Sequence, residues 1–267
     1  MKIEMHSYYD HFPNHKHDIP FESYIDCYND EFCMTEQIVP NSIALLIEPR
    51  SIIPAAYDWV EANCTKFKYV FTHDSQLLAN CLNAKLILWG MGNANYNSFN
   101  DIPKTKNISM VSSDKELCKL HKDRKQLAMD LKGHPLVDTM GTFDGGAFVD
   151  TKTIYAPYRF SVAVENYIDD NWFTEKICNC FANKTIPLYI GSPKIYKFFN
   201  PDGILSFDPN GLIDWLEYQT PEILENKYNR RLEAIEDNYN RVKQYENFET
   251  WFFNKYGELL DELGQSY

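Results

Sequence analysis

The sequence predicts an α/β protein with two parallel β-sheets, and three observations support this fold class. From residue 42 onward, short apolar runs alternate with helix candidates, which is the rhythm of βαβ units. The run from Phe160 to Val164 has the length and composition of a strand buried on both faces of a parallel sheet. A segment rich in Gly, Asn and Pro, from Gly90 to Pro103, separates two such series of elements.

The first series contains three predicted strands and two predicted helices. Each strand is a short apolar run bounded by turn residues, and each helix candidate has apolar residues at helical spacing. The predicted strands are Ser42 to Ile47, Tyr69 to Thr72 and Lys85 to Trp89, and the predicted helices are Ile53 to Asn63 and Ser75 to Asn83.

The second series begins after the Gly/Asn/Pro-rich segment. It contains strands at Ile108 to Val111, Phe160 to Val164 and Ile186 to Ile190, and a helix near Lys115 to Lys132. From Pro221 onward the chain is charged, with apolar residues at three- and four-residue steps, which predicts helices. A coiled coil is the alternative, but sustained heptads are missing.

The loop after Phe160 to Val164 is the best candidate for a ligand site. Ligands of open α/β sheets bind beyond the carboxyl ends of the strands. Thr174 can cap a helix that begins at Glu175, which places Lys176 in the first turn. Because the helix dipole disfavours a cation there, Lys176 suggests an anionic ligand.

The charge of the chain limits its partners. A net charge of −12 argues against a nucleic-acid or anionic-membrane surface, since these partners select basic patches. A nucleotide ligand needs local cations, and five basic residues lie close together in one predicted helix: Lys115, Lys119, Lys122, Arg124 and Lys125. The alternative is an exposed helix face with solvated lysines.

Several patterns bear on location and metals. The N-terminus lacks the apolar core of a signal peptide, and no stretch has the length of a membrane span. Seven cysteines, an odd number without a Cys-x-x-Cys pair, indicate reduced thiols. These patterns predict a soluble cytoplasmic protein.

Asp169 and Asp170 are adjacent rather than spaced as in an Asp-x-Asp metal motif, so we expect no metal site.

The loop and its flanking strands resemble the α-1,3/4-fucosyltransferases. Phe160 to Asn166, Trp172 to Ile177 and Ile186 to Pro193 are similar to that family's Phe-Glu-Asn-Ser, Tyr-Val-Thr-Glu-Lys and Ile-Pro-Ile-Tyr-Trp-Gly motifs. The Ser-rich turn after Val111, the helix with Arg124 and the segment Leu46 to Pro49 extend the resemblance upstream. Two positions depart from the pattern: Tyr167 replaces a serine and Trp172 replaces a tyrosine.

The resemblance implies a GT-B fold, in which two Rossmann-like domains face each other across a cleft. It assigns residues 1–103 to an N-terminal domain on the acceptor side and residues 104–220 to a donor-binding domain. Residues 221–267 would form C-terminal helices, the last of which is expected to return to the first domain.

The resemblance also implies the activity, which is inverting transfer of L-fucose from GDP-fucose to a hydroxyl of a glycan acceptor resembling N-acetylglucosamine. It makes Glu48 the catalytic base, with neither a tightly bound cofactor nor a required metal. The residues expected to contact the donor are Arg124, Asn166, Trp172, Glu175 and Lys176, and the residues expected to support them are Glu165, Lys122 and Thr174.

Other interpretations stay open. Tyr167 and Trp172 are compatible with a GT-B enzyme that uses a different nucleotide sugar. An inactive nucleotide- or sugar-binding protein is a further alternative, although such a protein has no need of an acid at Glu48. Taken alone, Glu48 could form a surface ion pair with Arg50, and Glu175 could be an ordinary first-turn helix acid. The lack of an N-terminal membrane helix favours a bacterial or viral source, and the sequence leaves the oligomeric state open.

Overall fold

The computed structural model describes residues 2–15, 24–92 and 97–264. The chain forms two compact units, which consist of residues 1–89 with 247–267 and of residues 90–246. Each unit contains a five-stranded sheet in which neighbouring strands run parallel. The predicted α/β fold with two parallel sheets is therefore confirmed.

The first sheet has its strands in sequence order. They are β1 (Lys2–His6), β2 (Tyr24–Asn29), β3 (Ile43–Leu46), β4 (Tyr69–Thr72) and β5 (Ala84–Leu86). Two helices, α1 (Pro54–Asn63) and α2 (Ser75–Asn80), connect the later strands. Strands β1 and β2 were not predicted, because polar residues interrupt both segments and neither forms an apolar run.

The two faces of the first sheet are covered in different ways. A parallel sheet that grows in one direction places its crossover helices on one face. On that face Ala44 and Leu46 pack with Tyr57 and other α1 residues. On the opposite face Ile43 and Leu45 lie in a second apolar cluster. Helix α9 (Phe248–Gly264) covers this second face through residues at helical spacing: Phe248, Phe252, Tyr256 and Leu260.

The second sheet has the strand order β10-β9-β8-β6-β7. Its strands are β6 (Lys106–Val111), β7 (Val137–Met140), β8 (Tyr158–Val164), β9 (Ile186–Ile190) and β10 (Leu205–Ser206). Its helices are α3 (Lys119–Asp130), α4 (Thr151–Tyr155), α5 (Glu175–Ala182), α6 (Pro209–Leu216), α7 (Pro221–Asn229) and α8 (Leu232–Val242). From β6 the chain moves first to β7 on one side and then to β8 on the other. This reversal creates a topological switch point at the carboxyl ends of β6 and β8, where doubly wound sheets bind ligands.

The C-terminal region is divided between the two units. Helices α7 and α8 contribute Leu224, Tyr228 and Ile235 to the core of the second unit. Helix α9 belongs to the first unit, and residue 103, the predicted domain boundary, lies inside the second unit. Among the described residues, no helix is both long and apolar enough to cross a membrane.

Candidate active site

The loop after β8 is closed by a buried carboxylate. Glu165 is completely buried, and its backbone N–H still donates to the Ile190 carbonyl of β9 at 2.9 Å. One carboxylate oxygen accepts the Thr174 backbone N–H at 3.0 Å, and the other accepts the Thr174 hydroxyl at 2.7 Å. Glu165 therefore joins the two ends of the 165–174 loop, and burial raises the pKa of its carboxyl despite the Lys176 charge and these hydrogen bonds.

Thr174 begins α5 as the sequence predicts. Its backbone is extended, and its hydroxyl oxygen accepts the backbone N–H of Lys176 at 3.4 Å. The same oxygen accepts a hydrogen bond from the Lys176 ammonium at 3.0 Å. Thr174 thus caps the helix and also fixes the lysine side chain across the first turn.

Lys176 is held between two carboxylates. Its Nζ lies 2.9 Å from Glu175 Oε1 and 3.8 Å from Glu165 Oε2, and 22% of its side chain is exposed. Burial alone would lower the pKa of Lys176, but the two carboxylates outweigh burial and raise it. Burial alone would raise the pKa of Glu175, but the Lys176 ammonium and the hydrogen bonds of the carboxylate outweigh burial and lower it. Lys176 is therefore a fixed cation at the N-terminus of α5.

Arg124 supplies a second cation beside this helix end. Its guanidinium is buried, and Nη2 donates to Ser113 Oγ in the turn after β6 at 3.2 Å. Burial lowers the pKa of Arg124, and the Glu165 and Glu175 carboxylates oppose that shift. Within residues 2–15, 24–92 and 97–264, Arg124 Nε has no hydrogen-bond partner. A buried donor without an acceptor is costly, which favours an anionic ligand at this point.

A neutral histidine adjoins the two cations. His121 lies one helical turn before Arg124 on α3 and is buried. Burial, followed by the charges of Arg124 and Lys176, lowers the pKa of His121 to about 4. The imidazole is therefore uncharged at neutral pH, and its Nδ1 has no acceptor or donor among the described residues. The sequence motifs give His121 no role of its own, because its significance depends on the fold around it.

Trp172 and Lys122 were also expected at the donor site, and their surroundings differ from those of Arg124 and Lys176. Trp172 is buried, and its indole N–H donates to Asn166 Oδ1 at 3.0 Å, so it contacts Asn166 directly. Lys122 is exposed. It lies two positions before Arg124 in α3 and therefore on nearly the opposite face of that helix. The structure therefore groups Arg124, Lys176 and their carboxylates, and it leaves Lys122 outside this group.

The Asp169–Asp170 pair is engaged within the protein. Asp170 forms an ion pair with Lys194, and Asp169 Oδ1 accepts the Asn171 backbone N–H at 3.0 Å. In the part of the chain that the structure describes, no group of three or more His, Cys, Asp or Glu residues could hold a metal ion.

Glu48 lies at the carboxyl end of β3 in the first unit, with an exposed side chain. The peptide groups before and after Glu48 are both hydrogen-bonded. The backbone N–H donates to Asp30 Oδ1 at 3.1 Å, and the carbonyl accepts the Tyr57 hydroxyl at 2.8 Å. Arg50 directs its guanidinium to Asp74 through two hydrogen bonds of 2.9 Å. Arg50 therefore has a bidentate carboxylate partner other than Glu48.

Asp30 is a residue that sequence reasoning missed. It follows β2 with a left-handed backbone (φ 50°), and its side chain is buried. The same oxygen, Oδ1, accepts the backbone N–H groups of Ile47 at 2.7 Å and of Glu48 at 3.1 Å. Burial raises the pKa of Asp30 from 3.8 to about 7, although the two backbone hydrogen bonds oppose this shift. The Asn-Asp pair at the end of β2 was the available signal, but its partner lies 17 residues away.

Residues 102–256 match the model of glycosyltransferase family 10 (fucosyltransferase), C-terminal part. The chain belongs to this family. A curated relative, the α-(1,3)-fucosyltransferase FucT of Helicobacter pylori, is 36% identical over 67 residues. That alignment spans 23% of this chain and only 14% of the relative's length.

Solved structures agree with this assignment at the level of the fold. An α1,3-fucosyltransferase superposes with a TM-score of 0.52 at 15% identity, over 85% of this chain and 73% of that one. Sucrose-phosphate synthase from Thermosynechococcus elongatus gives 0.60 at 13% identity, over 91% of this chain and 74% of that one. The GT-B fold class and the resemblance to fucosyltransferases are therefore confirmed. The family 10 match contains Arg124 and the 165–176 segment but does not extend to Glu48.

Proposed function

We propose that this chain is an inverting fucosyltransferase that transfers L-fucose from GDP-fucose to a hydroxyl of a sugar acceptor. Membership of family 10 supports the reaction class. The observation that carries the proposal is that two cations lie near each other beside a topological switch point. One is the buried guanidinium of Arg124, and the other is Lys176 at a helix N-terminus.

The donor diphosphate is the ligand that this group of residues suits. Arg124 offers its unpartnered Nε–H as part of a planar fork, whereas Lys176 acts as a point charge. Asn166 would donate an amide N–H to a phosphate oxygen. Trp172 would hold Asn166 in position through the hydrogen bond between its indole N–H and Asn166 Oδ1. Glu175, with 42% of its side chain exposed, has surface available to accept ribose hydroxyls. Lys122 would add only long-range attraction.

The transfer step needs a base and stabilisation of the leaving group. Glu48 would take the proton of the acceptor hydroxyl while that oxygen attacks C1 of fucose from the face opposite the diphosphate. The bond between C1 and the β-phosphate oxygen breaks, and its electron pair leaves with GDP. Arg124 and Lys176 would stabilise the negative charge that develops on this diphosphate, which is electrostatic catalysis. These two cations are part of the protein, so we propose that the reaction needs no metal.

A second candidate retains the fold and changes the donor. Tyr167 stands where the fucosyltransferase motif has a serine, and Trp172 stands where it has a tyrosine. Both residues belong to the loop that Glu165 and Thr174 close. A GT-B transferase that uses another nucleotide sugar would preserve the diphosphate contacts and differ in this loop. Donor hydrolysis measured with a panel of GDP, UDP and ADP sugars separates the two candidates.

Calorimetric titration with GDP tests the diphosphate assignment. Arg124→Ala and Lys176→Ala should each weaken GDP binding by about 2–5 kcal/mol, the usual cost of truncating a buried charged contact. Lys119→Ala is a matched control, because this α3 lysine is 86% exposed. Its GDP affinity should stay near that of the wild type. Unchanged affinity in both site variants would remove the basis for the donor assignment.

A further inference from the structure

Three aromatic residues lie beyond the carboxyl ends of the first two strands in the first unit. Tyr8 and Tyr9 follow β1 and are 79% and 74% exposed, and the partly exposed Phe32 follows β2. The rings of Tyr8 and Phe32 meet edge to face, with centroids 4.8 Å apart and an interplanar angle of 71°. We call Tyr8, Tyr9 and Phe32 the aromatic shelf. Adjacent exposed aromatic rings of this kind mark surfaces that bind a partner or ligand.

Hydrogen bonds beneath the shelf hold its backbone in place. The Tyr9 backbone N–H donates to Ser7 Oγ at 3.0 Å, and the Ser7 hydroxyl donates to Asn29 Oδ1 at 2.7 Å. His11 Nε2 lies 3.2 Å from the same Asn29 oxygen. Asn29 Nδ2 donates in turn to the Leu45 carbonyl of β3 at 2.9 Å. A ligand on the shelf would therefore meet a surface whose backbone is already ordered, which reduces the entropic cost of binding.

The shelf and the proposed base share one edge of the first sheet. Strands β1, β2 and β3 are consecutive neighbours, and neighbouring strands lie about 5 Å apart. The strand ends that carry Tyr8 and Phe32 are thus roughly 10 and 5 Å from the end that carries Glu48. A direct connection reinforces this placement, because Asp30, two residues before Phe32, accepts the Glu48 backbone N–H.

From this arrangement we propose that the aromatic shelf binds the acceptor, and that the acceptor is a neutral glycan. A pyranose ring has an apolar face of C–H groups that packs on an aromatic ring, and a rim of hydroxyls that needs polar partners. Two exposed carboxylates can accept hydrogen bonds from these hydroxyls: Glu31, which precedes Phe32 in the chain, and Glu48, which follows the end of β3. Their charge repels sialylated or phosphorylated glycans. The proposal rests on the proposed fucosyltransferase function, since it identifies the acceptor of that reaction.

Glycan binding measured without a donor tests this inference apart from turnover. The probe is N-acetyllactosamine, titrated by saturation-transfer NMR against the full chain. Tyr8→Ala and Phe32→Ala should each raise the dissociation constant by about three- to tenfold, the range expected from losing one aromatic contact. Tyr8→Phe keeps the ring and should bind nearly as the wild type does. Tyr218→Ala removes a tyrosine of similar exposure, 76%, from the second unit and should have no effect.

Each outcome has a defined meaning. Equal affinities for the wild type, Tyr8→Ala and Phe32→Ala would overturn the inference, as would failure of the wild type to bind N-acetyllactosamine, lactose or chitobiose. Binding of sialylated N-acetyllactosamine as tight as that of the neutral probe would overturn the assignment to neutral glycans. Failure of the proposed function looks different. In that case the wild type would bind the glycan through the shelf but would release no GDP from GDP-fucose with any of these acceptors.

Discussion

Replacing Asp30 by Asn isolates the energetic cost of the buried carboxylate that holds Glu48. Asn has the same shape, and its amide oxygen can accept both the Ile47 and the Glu48 N–H groups that Asp30 Oδ1 accepts now. Asn also tolerates the left-handed backbone at this position, where φ is 50°. The substitution therefore removes the titratable group and retains the local geometry.

The magnitude follows from the shift of the Asp30 pKa, which burial raises from 3.8 to about 7. The stabilising contribution of this group is fully present below the unfolded pKa and is lost as pH rises through the folded pKa. Across the interval from 3.8 to about 7 the wild type should lose about 4 kcal/mol of stability from this group, because each pKa unit corresponds to about 1.4 kcal/mol. Roughly 3 kcal/mol of this loss falls between pH 5 and pH 8.

Urea unfolding at pH 5, 6, 7 and 8 measures this loss. The stability of Asp30→Asn relative to the wild type should increase across the series by roughly 3 kcal/mol, since Asn does not titrate and all other groups are shared. Asp214→Asn makes the same change at an exposed carboxylate of the second unit and should give a curve parallel to that of the wild type. Parallel curves for the wild type and Asp30→Asn would refute the reasoning.

Two further predictions concern the proposed mechanism, and a third concerns the buried contact between Thr174 and Glu165. Glu48→Gln should lower kcat by about 10²- to 10⁴-fold and leave KM for GDP-fucose nearly unchanged, because the base acts in the chemical step; near-normal kcat in steady-state assays would exclude it. Turnover should persist after exhaustive treatment with EDTA, and loss restored by manganese would reveal a metal site. Thr174→Val should lower the free energy of unfolding by about 1–3 kcal/mol, because Glu165 loses a buried donor. Thr153→Val, at an exposed hydroxyl, is its control, and equal losses in the two would contradict this account.

The sequence predicts the donor half of the molecule best. Strand β8 is short and largely apolar, and the capping residue, the cation and the strand end of its loop are close in sequence. Local patterns therefore determine most of this region. Arg124 could be placed beside that loop only through the family resemblance, because the hydrogen bond to Ser113 and the burial of its guanidinium depend on tertiary structure.

The first unit was predicted less completely, for physical reasons. In β1 and β2 polar residues such as Glu4 and Asp26 interrupt the apolar residues, so neither segment stands out as a strand. The role of Asp30 depends on a contact with the end of β3, which no local pattern encodes. By sequence, the segments from Tyr8 to Pro20 and from Asn93 to Phe99 are candidate acceptor loops, because they are rich in aromatic and polar residues. Residues 16–20 and 93–96 of these segments lie outside the described residues.

The position of α9 affects how the chain folds as it is synthesised. Strand β5 ends at Leu86, whereas the helix that covers the second face of its sheet begins at Phe248. About 160 residues separate the two, so at ordinary translation rates the ribosome needs roughly 10 to 30 seconds to produce them. During this interval Ile43, Leu45 and Phe71 lack their partners on α9, while the complete second unit can already fold. One apolar face of the nascent N-terminal sheet thus stays without its covering helix during this interval, and the unit that begins first is the last to be completed.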